Sequence, residues 1–149
     1  MQLSFSTVIA TLGAVFAVAT PAAALFCAEA ERFGVVTVSP TTLSPGETFT
    51  VTANFSCAAQ LGVNPEYIDY YIEVPVNNNG FEPPILLARR TLDASSATPL
   101  LDSFTTQLPY ANYFNSSYVV ILDTTYPVNG TNGTPYSVVG GVEIPITIL

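Results

Sequence analysis

The side chains that could carry out catalysis in this chain are carboxylates, hydroxyls and one pair of thiols. Its 149 residues contain no histidine, and the three basic residues are all arginines, Arg32, Arg89 and Arg90, against eleven aspartates and glutamates. Serine–histidine and cysteine–histidine pairs, imidazole metal ligands and lysine nucleophiles are therefore unavailable. Acid–base chemistry by carboxylates is the one catalytic class left open.

Asp69 and Glu73 are the two carboxylates whose spacing favours joint action, because both alternate onto one face of a predicted strand. Four residues of extended chain separate their backbones by roughly 13 Å at about 3.3 Å per residue. Glycosidase carboxylates lie about 5 to 10 Å apart, so solvated surface acids are the favoured interpretation and a small glycan hydrolase is the weaker one. A calcium site built from such acids is a further alternative, but no D-x-D-x-D-G loop is present. We expect no enzyme activity, no metal and no cofactor.

Two tyrosines, Tyr67 and Tyr71, bracket Asp69 on the same predicted outward face. Exposed rings beside carboxylates suit sugar recognition, since ring faces contact apolar CH groups and the acids accept hydroxyl protons. The candidate ligand-binding set is therefore Tyr67, Asp69, Tyr71 and Glu73. The alternative is that strand tyrosines only cover the sheet.

A second group of aromatic residues falls in predicted loops near the end of the molecule. Such loop aromatics either plug the ends of a sandwich or form hot spots of a protein-binding surface. Their members are Tyr110, Tyr113, Phe114, Tyr126 and Tyr136.

The first 24 residues have the pattern of a secretory signal peptide. An apolar stretch precedes Ala22-Ala23-Ala24, which satisfies the small-residue cleavage rule. The expected organisation is a signal peptide over 1–24 and one mature domain over 25–149. Exported proteins favour disulfides, so Cys27 and Cys57 are predicted to pair, and cleavage after Ala24 keeps both in the mature chain.

Four N-x-[ST] triplets are acceptors for N-glycans in a chain that enters the eukaryotic secretory pathway. Three lie in predicted loops and the fourth is turned outward by strand alternation. The acceptors are Asn54, Asn115, Asn129 and Asn132.

The elements that must position these residues are short strands, since Val, Ile, Thr, Tyr and Phe alternate with polar residues between Pro, Gly and Asn turns. The strongest period-two pattern runs from Thr48 to Cys57, and a second runs from Tyr67 to Val74. Tyr118–Leu122 is predicted as a central strand, and Pro145 places the last strand at an edge or a bulge. About seven strands at such spacing predict an all-β antiparallel two-sheet sandwich of the immunoglobulin or fibronectin type, with a jelly roll or small barrel as the alternative.

The formal net charge of −8 opposes binding to nucleic acid or anionic lipid. No segment of the mature chain is expected to be embedded in a membrane. Cell-wall polysaccharide or an extracellular protein is the expected partner.

The runs Thr48–Thr52, Tyr67–Val74 and Tyr118–Leu122, together with Val139-Gly140-Gly141-Val142, resemble small secreted fungal proteins of unassigned function. More distantly, their order is similar to the immunoglobulin-like domain of the fungal cell-wall β-glucan assembly family, although the Trp-containing segment of that family is missing. The resemblance implies a secreted, wall-associated protein and transfers no binding residue. The functional expectation is a secreted non-catalytic module that binds glycan, with a secreted protein-binding factor, an effector or inhibitor, as the alternative.

Overall fold

The computed structural model describes residues 26–93 and 100–149 and arranges them in two sheets packed face to face. The three-stranded sheet has the order β1, β3, β6, which span Val35–Ser39, Thr48–Asn54 and Leu101–Gln107. The five-stranded sheet has the order β2, β8, β7, β4, β5, which span Thr42–Leu43, Pro135–Ile148, Tyr118–Asn129, Tyr67–Glu73 and Ile85–Arg90. The predicted all-β two-sheet sandwich is confirmed, and the described ranges hold eight strands rather than about seven because β2 adds a two-residue strand.

Neighbouring strands are antiparallel except for β2 and β8, which run parallel. Strands β4 and β5 form one hairpin and β7 and β8 another, while the other five connections, β1 to β2, β2 to β3, β3 to β4, β5 to β6 and β6 to β7, pass between the sheets. Connections of this kind are the rule in immunoglobulin-type sandwiches.

Alternate side chains of the strands form the core, as the period-two patterns predict. In β3, Phe49, Val51 and Ala53 are almost fully buried, and in β4, Ile68 and Ile72 are buried equally. Strand β7 lies between β4 and β8, which confirms the predicted central position of Tyr118–Leu122. Burial of each valine, isoleucine or phenylalanine side chain of this kind stabilises the fold by about 1.5 to 3 kcal/mol.

One polar group crosses the core and joins the two sheets. The Tyr70 hydroxyl, on the inward face of β4, donates to the buried Asp102 carboxylate of β6 at 3.0 Å. The Arg90 Nε of β5 donates to the same carboxylate at 2.7 Å. Burial and the Asp102 carboxylate raise the pKa of Tyr70, so its proton is held and the hydrogen bond persists.

The alternating pattern from Thr48 to Cys57 ends as a strand at Asn54, earlier than predicted. The Asn54 Oδ1 accepts the Ser56 backbone N–H at 2.9 Å, and a five-residue helix, α1, spans Ser56–Gln60. A side chain that caps its own backbone two residues on favours a turn over further ladder pairing. The predicted strand position of Cys57 is therefore wrong, although its side chain is buried as expected.

Three further features are the Asn77–Gly80 turn, the position of Pro145 and the segments outside the described part. The Asn77–Gly80 turn forms a short 3-10 segment, and Pro145 lies on an exposed position of β8, where β2 covers only Thr147 and Ile148. The predicted leader over 1–24 and residues 94–99 lie outside the described residues. Among the described residues, no helix has the length and apolar character needed to cross a bilayer.

The strand directions define two ends of the sandwich. The end of β4, the start of β5 and the start of β7 meet at one, which we call the cleft end. The end of β3, α1 and the β7–β8 hairpin tip meet at the other, which we call the disulfide end.

Candidate functional site

The four residues of the predicted binding set share one outer face of β4, and Arg89 covers the acid at its centre. Tyr67, Asp69, Tyr71 and Glu73 alternate on the outer surface of the five-stranded sheet, opposite the buried face of β4. Tyr67 is 42% exposed, but Asp69 is only 6% exposed because Arg89 of β5 lies across it. The Arg89 Nε and Nη2 atoms donate to the two Asp69 oxygens at 2.7 Å each.

The surrounding rings complete this ion pair. The Arg89 guanidinium lies 5.6 Å from the centre of the Tyr67 ring, and the Tyr71 hydroxyl donates to Asp69 Oδ2 at 3.4 Å. Burial and the Asp69 carboxylate raise the pKa of Tyr71. The interpretation of Asp69 as a solvated surface acid is therefore wrong, because its oxygens are already occupied by protein donors.

An acidic row extends from Asp69 across the outer surface. Asp69 lies directly opposite Asp123 of β7, which is flanked in turn by Gly141 of β8. Burial and the Asp69 charge raise the pKa of Asp123, and burial together with Asp123 and Glu143 raises the pKa of Glu73. Negative potential thus accumulates toward Glu73, at the end of β4.

Glu73 also lines a cleft of about 260 Å³ at the cleft end of the sandwich. The walls come from three separate segments: the end of β4, the residues that follow the Asn77–Gly80 turn, and the connection between β6 and β7. The residues that give the cleft its chemistry are Glu73, Phe81, Glu82, Tyr113, Phe114 and Tyr118.

Two edge-to-face ring pairs form the aromatic walls. The Phe81 and Phe114 rings are 5.1 Å apart at 84°, and Tyr113 and Tyr118 are 5.5 Å apart at 86°. Phe81 is 64% exposed and Phe114 is 44% exposed. Edge-to-face pairs contribute about 0.5 to 1.5 kcal/mol beyond area burial, so the two segments hold each other in place while leaving apolar ring surface in contact with solvent.

The Tyr118 hydroxyl connects both sides of the cleft. It donates to a Glu82 oxygen and accepts the Phe114 backbone N–H at 2.9 Å. Burial, and then the hydrogen bond to Glu82, raises the pKa of Tyr118 to about 12. The hydroxyl therefore keeps its proton at any physiological pH and fixes the segments that carry Phe81 and Phe114.

The Asn-rich turn places Glu82 at the opening. Asn77, Asn78 and Asn79 have φ between 46° and 55°, and Gly80 has φ 81°. Asparagine and glycine are the residues that adopt this left-handed region with least strain, which explains the Asn-Asn-Asn-Gly sequence. The Asn79 Nδ2 then donates to Glu82 Oε1 at 2.7 Å.

The loop aromatics predicted as a group separate in the structure. Tyr113 and Phe114 line the cleft, whereas Tyr110 is 85% exposed with its hydroxyl beside the backbone of Gly46. Tyr126 and Tyr136 do not lie in loops, since they belong to β7 and β8 near the disulfide end.

Sequence reasoning missed Phe81 and Glu82. The sequence context could have identified them, because an aromatic and an acidic residue placed directly between an Asn-Gly turn and Pro83-Pro84 are expected at the surface. Glu73 is the one member of the predicted binding set that also lines the cleft.

The predicted disulfide is confirmed, and one of the three glycan acceptors predicted in loops is not in a loop: Asn129 is the last residue of β7, whereas Asn115 and Asn132 lie between strands. Cys27 and Cys57 form a disulfide with their Cα atoms 5.4 Å apart. Among the described residues, these cysteines with Glu31 are the group closest to a metal-binding arrangement, and a disulfide removes both thiolates. Asn54, Asn115, Asn129 and Asn132 are all exposed, and the Asn132 Oδ1 accepts the Thr134 N–H at 3.0 Å.

Fold and site together define a small disulfide-linked β-sandwich with an aromatic and acidic cleft at one end. Comparison with protein-family models, with curated proteins and with solved structures returns no match.

Proposed function

We propose that this chain is a secreted, non-catalytic glycan-binding module, associated with the cell wall, and that the cleft at the end of its sandwich is the sugar site. Export is supported by the leader pattern and by the disulfide, which persists in oxidising compartments.

The observation that carries the sugar site is the combination of exposed rings with acceptor groups in one small cleft. Phe81 and Phe114 offer apolar surface to sugar CH groups, and Glu73 and Glu82 offer oxygens to hydroxyls. Ligand cavities for drug-sized molecules are about 300 to 1,000 Å³, so a cleft of about 260 Å³ suits a single sugar ring.

The proposal differs from the expectation that Tyr67 and Tyr71 form the binding surface. On that face Asp69 has both oxygens committed to Arg89, and Arg89 lies near the Tyr67 ring. Asp69 is therefore buried, whereas Glu73 and Glu82 at the cleft keep part of their surface in contact with solvent.

A non-catalytic role is supported by the same contacts. Asp69 was one half of the carboxylate pair considered for hydrolysis, and its bidentate contact with Arg89 holds it away from proton transfer. Purified protein is expected to leave β-glucan and chitin oligomers intact, and a glycan cleaved by wild type but not by Glu73→Gln would contradict this part of the proposal.

The test is retention on insoluble β-glucan and chitin with two matched double variants. Phe81→Ala with Phe114→Ala should reduce retention at least about fivefold, because ring contacts of this kind contribute about 1 kcal/mol or more in total. Tyr67→Ala with Tyr71→Ala is the control and should retain wild-type binding. Reduced retention of the tyrosine variant, with wild-type retention of the phenylalanine variant, would place the site on the tyrosine face. Absence of wild-type retention on any glycan would contradict the proposal as a whole.

A secreted protein-binding factor is the second candidate, and the apolar rim of the cleft end favours it. Val76 is 77% exposed beside the turn that carries the 64% exposed Phe81, and such rings serve as interface anchors. Cross-linking in culture fluid distinguishes the two candidates. A protein partner that Phe81→Ala releases, together with absent glycan retention, would favour the second.

A further inference from the structure

The three arginines of this chain all form ion pairs outside the cleft. Arg32 pairs with Glu29, Arg89 with Asp69 and Arg90 with Asp102, at 2.7 to 2.8 Å. These are all the arginines in the sequence, and it contains no lysine or histidine. Glu73 and Glu82 therefore have no protein cation to neutralise them.

The groups that surround Glu73 and Glu82 do not neutralise their charges either. Among residues 26–93 and 100–149, the side chains that donate to Glu82 are neutral, namely the Asn79 amide and the Tyr118 hydroxyl. Glu73 is in addition close enough to Asp123 and Glu143 for their charges to act on it. A carboxylate that is partly desolvated among like charges gains most from a ligand that brings a positive charge.

We propose that the ligand of the cleft is a cationic amino sugar, as found in deacetylated chitin, whose ammonium group pairs with Glu82 and Glu73 while its ring contacts Phe81 and Phe114. This inference rests on the proposed glycan-binding function and narrows its substrate class. A pyranose ring supplies CH groups for the aromatic walls, and an amine in place of a hydroxyl supplies the missing charge. A protonated amine attracts an aromatic face as well as a carboxylate, so both parts of the cleft favour it over a neutral sugar.

The charge of the whole chain acts in the same direction. A formal net charge of −8 attracts a polycation and does not attract a neutral glucan. Because this attraction extends beyond the cleft, the test must separate specific binding in the cleft from attraction to the surface at large.

The experiment titrates the mature, disulfide-bonded protein calorimetrically with three oligosaccharides of equal length, namely glucosamine, N-acetylglucosamine and β-glucan oligomers. Each is measured at a pH where the amine is protonated and at two ionic strengths, about 0.01 M and about 0.15 M, between which the Debye length falls from about 30 Å to about 8 Å. Glucosamine oligomers should bind most tightly, and their affinity should fall with salt more than that of the neutral oligomers.

Three glutamate-to-glutamine variants separate the cleft from the rest of the surface. Glu82→Gln and Glu73→Gln should each weaken glucosamine binding about tenfold, because a hydrogen bond to a charged group is lost. Glu66→Gln removes the same charge at the disulfide end of β4, where Glu66 is exposed, and should change the affinity less than about twofold. Far-ultraviolet circular dichroism of each variant checks that the sheet content is unchanged.

The outcomes distinguish this inference from the proposed function. Equal or tighter binding of a neutral oligomer, lost in Phe81→Ala, would contradict the amino-sugar inference and leave glycan binding in place. Glucosamine binding that all three glutamine variants weaken alike would also contradict it, since attraction to the surface would then explain the affinity. Binding of none of the three oligomers would contradict both the inference and the proposed function.

Discussion

At the scale of single residues, the acids of the two sites differ in burial and in partners. Asp69 and Asp102 are buried and each is paired with an arginine. Glu73 and Glu82 lie in the cleft without one. With three arginines in the sequence, pairing two with buried acids leaves the acids at the cleft free to define its charge.

Removing the Asp102 carboxylate should destabilise the fold by about 3 kcal/mol. Asp102→Ala leaves the buried Tyr70 hydroxyl without its acceptor and Arg90 without its partner, and such losses cost about 1 to 3 kcal/mol for a buried donor and more for a charge. Urea unfolding measures the change. Glu29→Ala, which breaks the exposed pair with Arg32, is the control and should cost less than about 0.5 kcal/mol, and equal losses in both variants would contradict the assigned role of Asp102.

The acidic row should make the protein less stable as the pH rises above the usual carboxylate range. The pKa values of Asp123 and Glu73 are raised from 3.8 and 4.5 in the folded state, so the folded protein binds more protons than the unfolded chain just above those values. Stability from these groups is complete below the unfolded pKa values and is lost as pH rises through the folded ones.

Asp123→Asn should therefore raise the free energy of unfolding at neutral pH, by about 0.5 kcal/mol for relief of the like charge opposite Asp69. It should also flatten the stability profile above pH 3.8. Urea unfolding across pH gives both quantities. Salt near 1 M, where the Debye length is about 3 Å, should reduce the Coulombic part of the effect. Parallel pH profiles for variant and wild type would show that Asp123 is not responsible.

At the scale of elements, the sequence predicted the strands much better than the cleft. Strand β4 differs from its predicted bounds by one residue, because alternation of buried and exposed side chains requires a sheet with one face on a core. The prediction of β3 ran three residues too far because Phe55 and Cys57 continue the alternation inside a turn that the Asn54 side chain starts. The hydrogen bond from the Ser56 N–H to the Asn54 side chain ends the strand, and the hydrophobic periodicity of the sequence does not reveal such a bond.

The cleft could not be predicted in the same way. Phe81 and Phe114 are 33 residues apart in the sequence and meet only because β4, β5 and β7 bring their connecting segments to one end. Likewise, nothing in the spacing of Asp69 and Arg89 identified their pairing, which depends on the β4–β5 register that opposes them. The alternation of a sequence predicts which face of the sheet a side chain occupies, but it does not predict which residue lies opposite on the neighbouring strand.

The disulfide should contribute about 3 kcal/mol by joining the N-terminal 3-10 helix, Glu29–Phe33, to α1. Cys27 and Cys57 are 30 residues apart, and closing a loop of this length restricts the unfolded chain by about 3 to 4 kcal/mol in the entropy model. Urea unfolding of the double variant Cys27→Ala with Cys57→Ala measures the loss. Wild type in reducing buffer should match the variant, and an unchanged midpoint in both would contradict the prediction.

At the scale of the whole molecule, the cleft and the disulfide lie at opposite ends of the sandwich. The cleft occupies one end, while the disulfide and the Asn54, Asn129 and Asn132 acceptors lie at the other. A chain with bulky glycans at the disulfide end can still present the cleft to an insoluble polymer. Asn115 is the exception, because it follows Phe114 at the opening of the cleft.

This arrangement predicts that N-glycans affect binding only through Asn115. In protein produced by a eukaryotic secretory host, Asn115→Gln should increase retention on the bound glycan severalfold if mass spectrometry finds that acceptor occupied, since a glycan one residue from Phe114 competes for space at the opening. Replacing Asn54, Asn129 and Asn132 together by Gln should leave retention unchanged, because their glycans lie at the far end of the strands. Loss or gain of retention in that triple variant, with its fold intact, would place the binding surface at the disulfide end and contradict the assignment of the cleft.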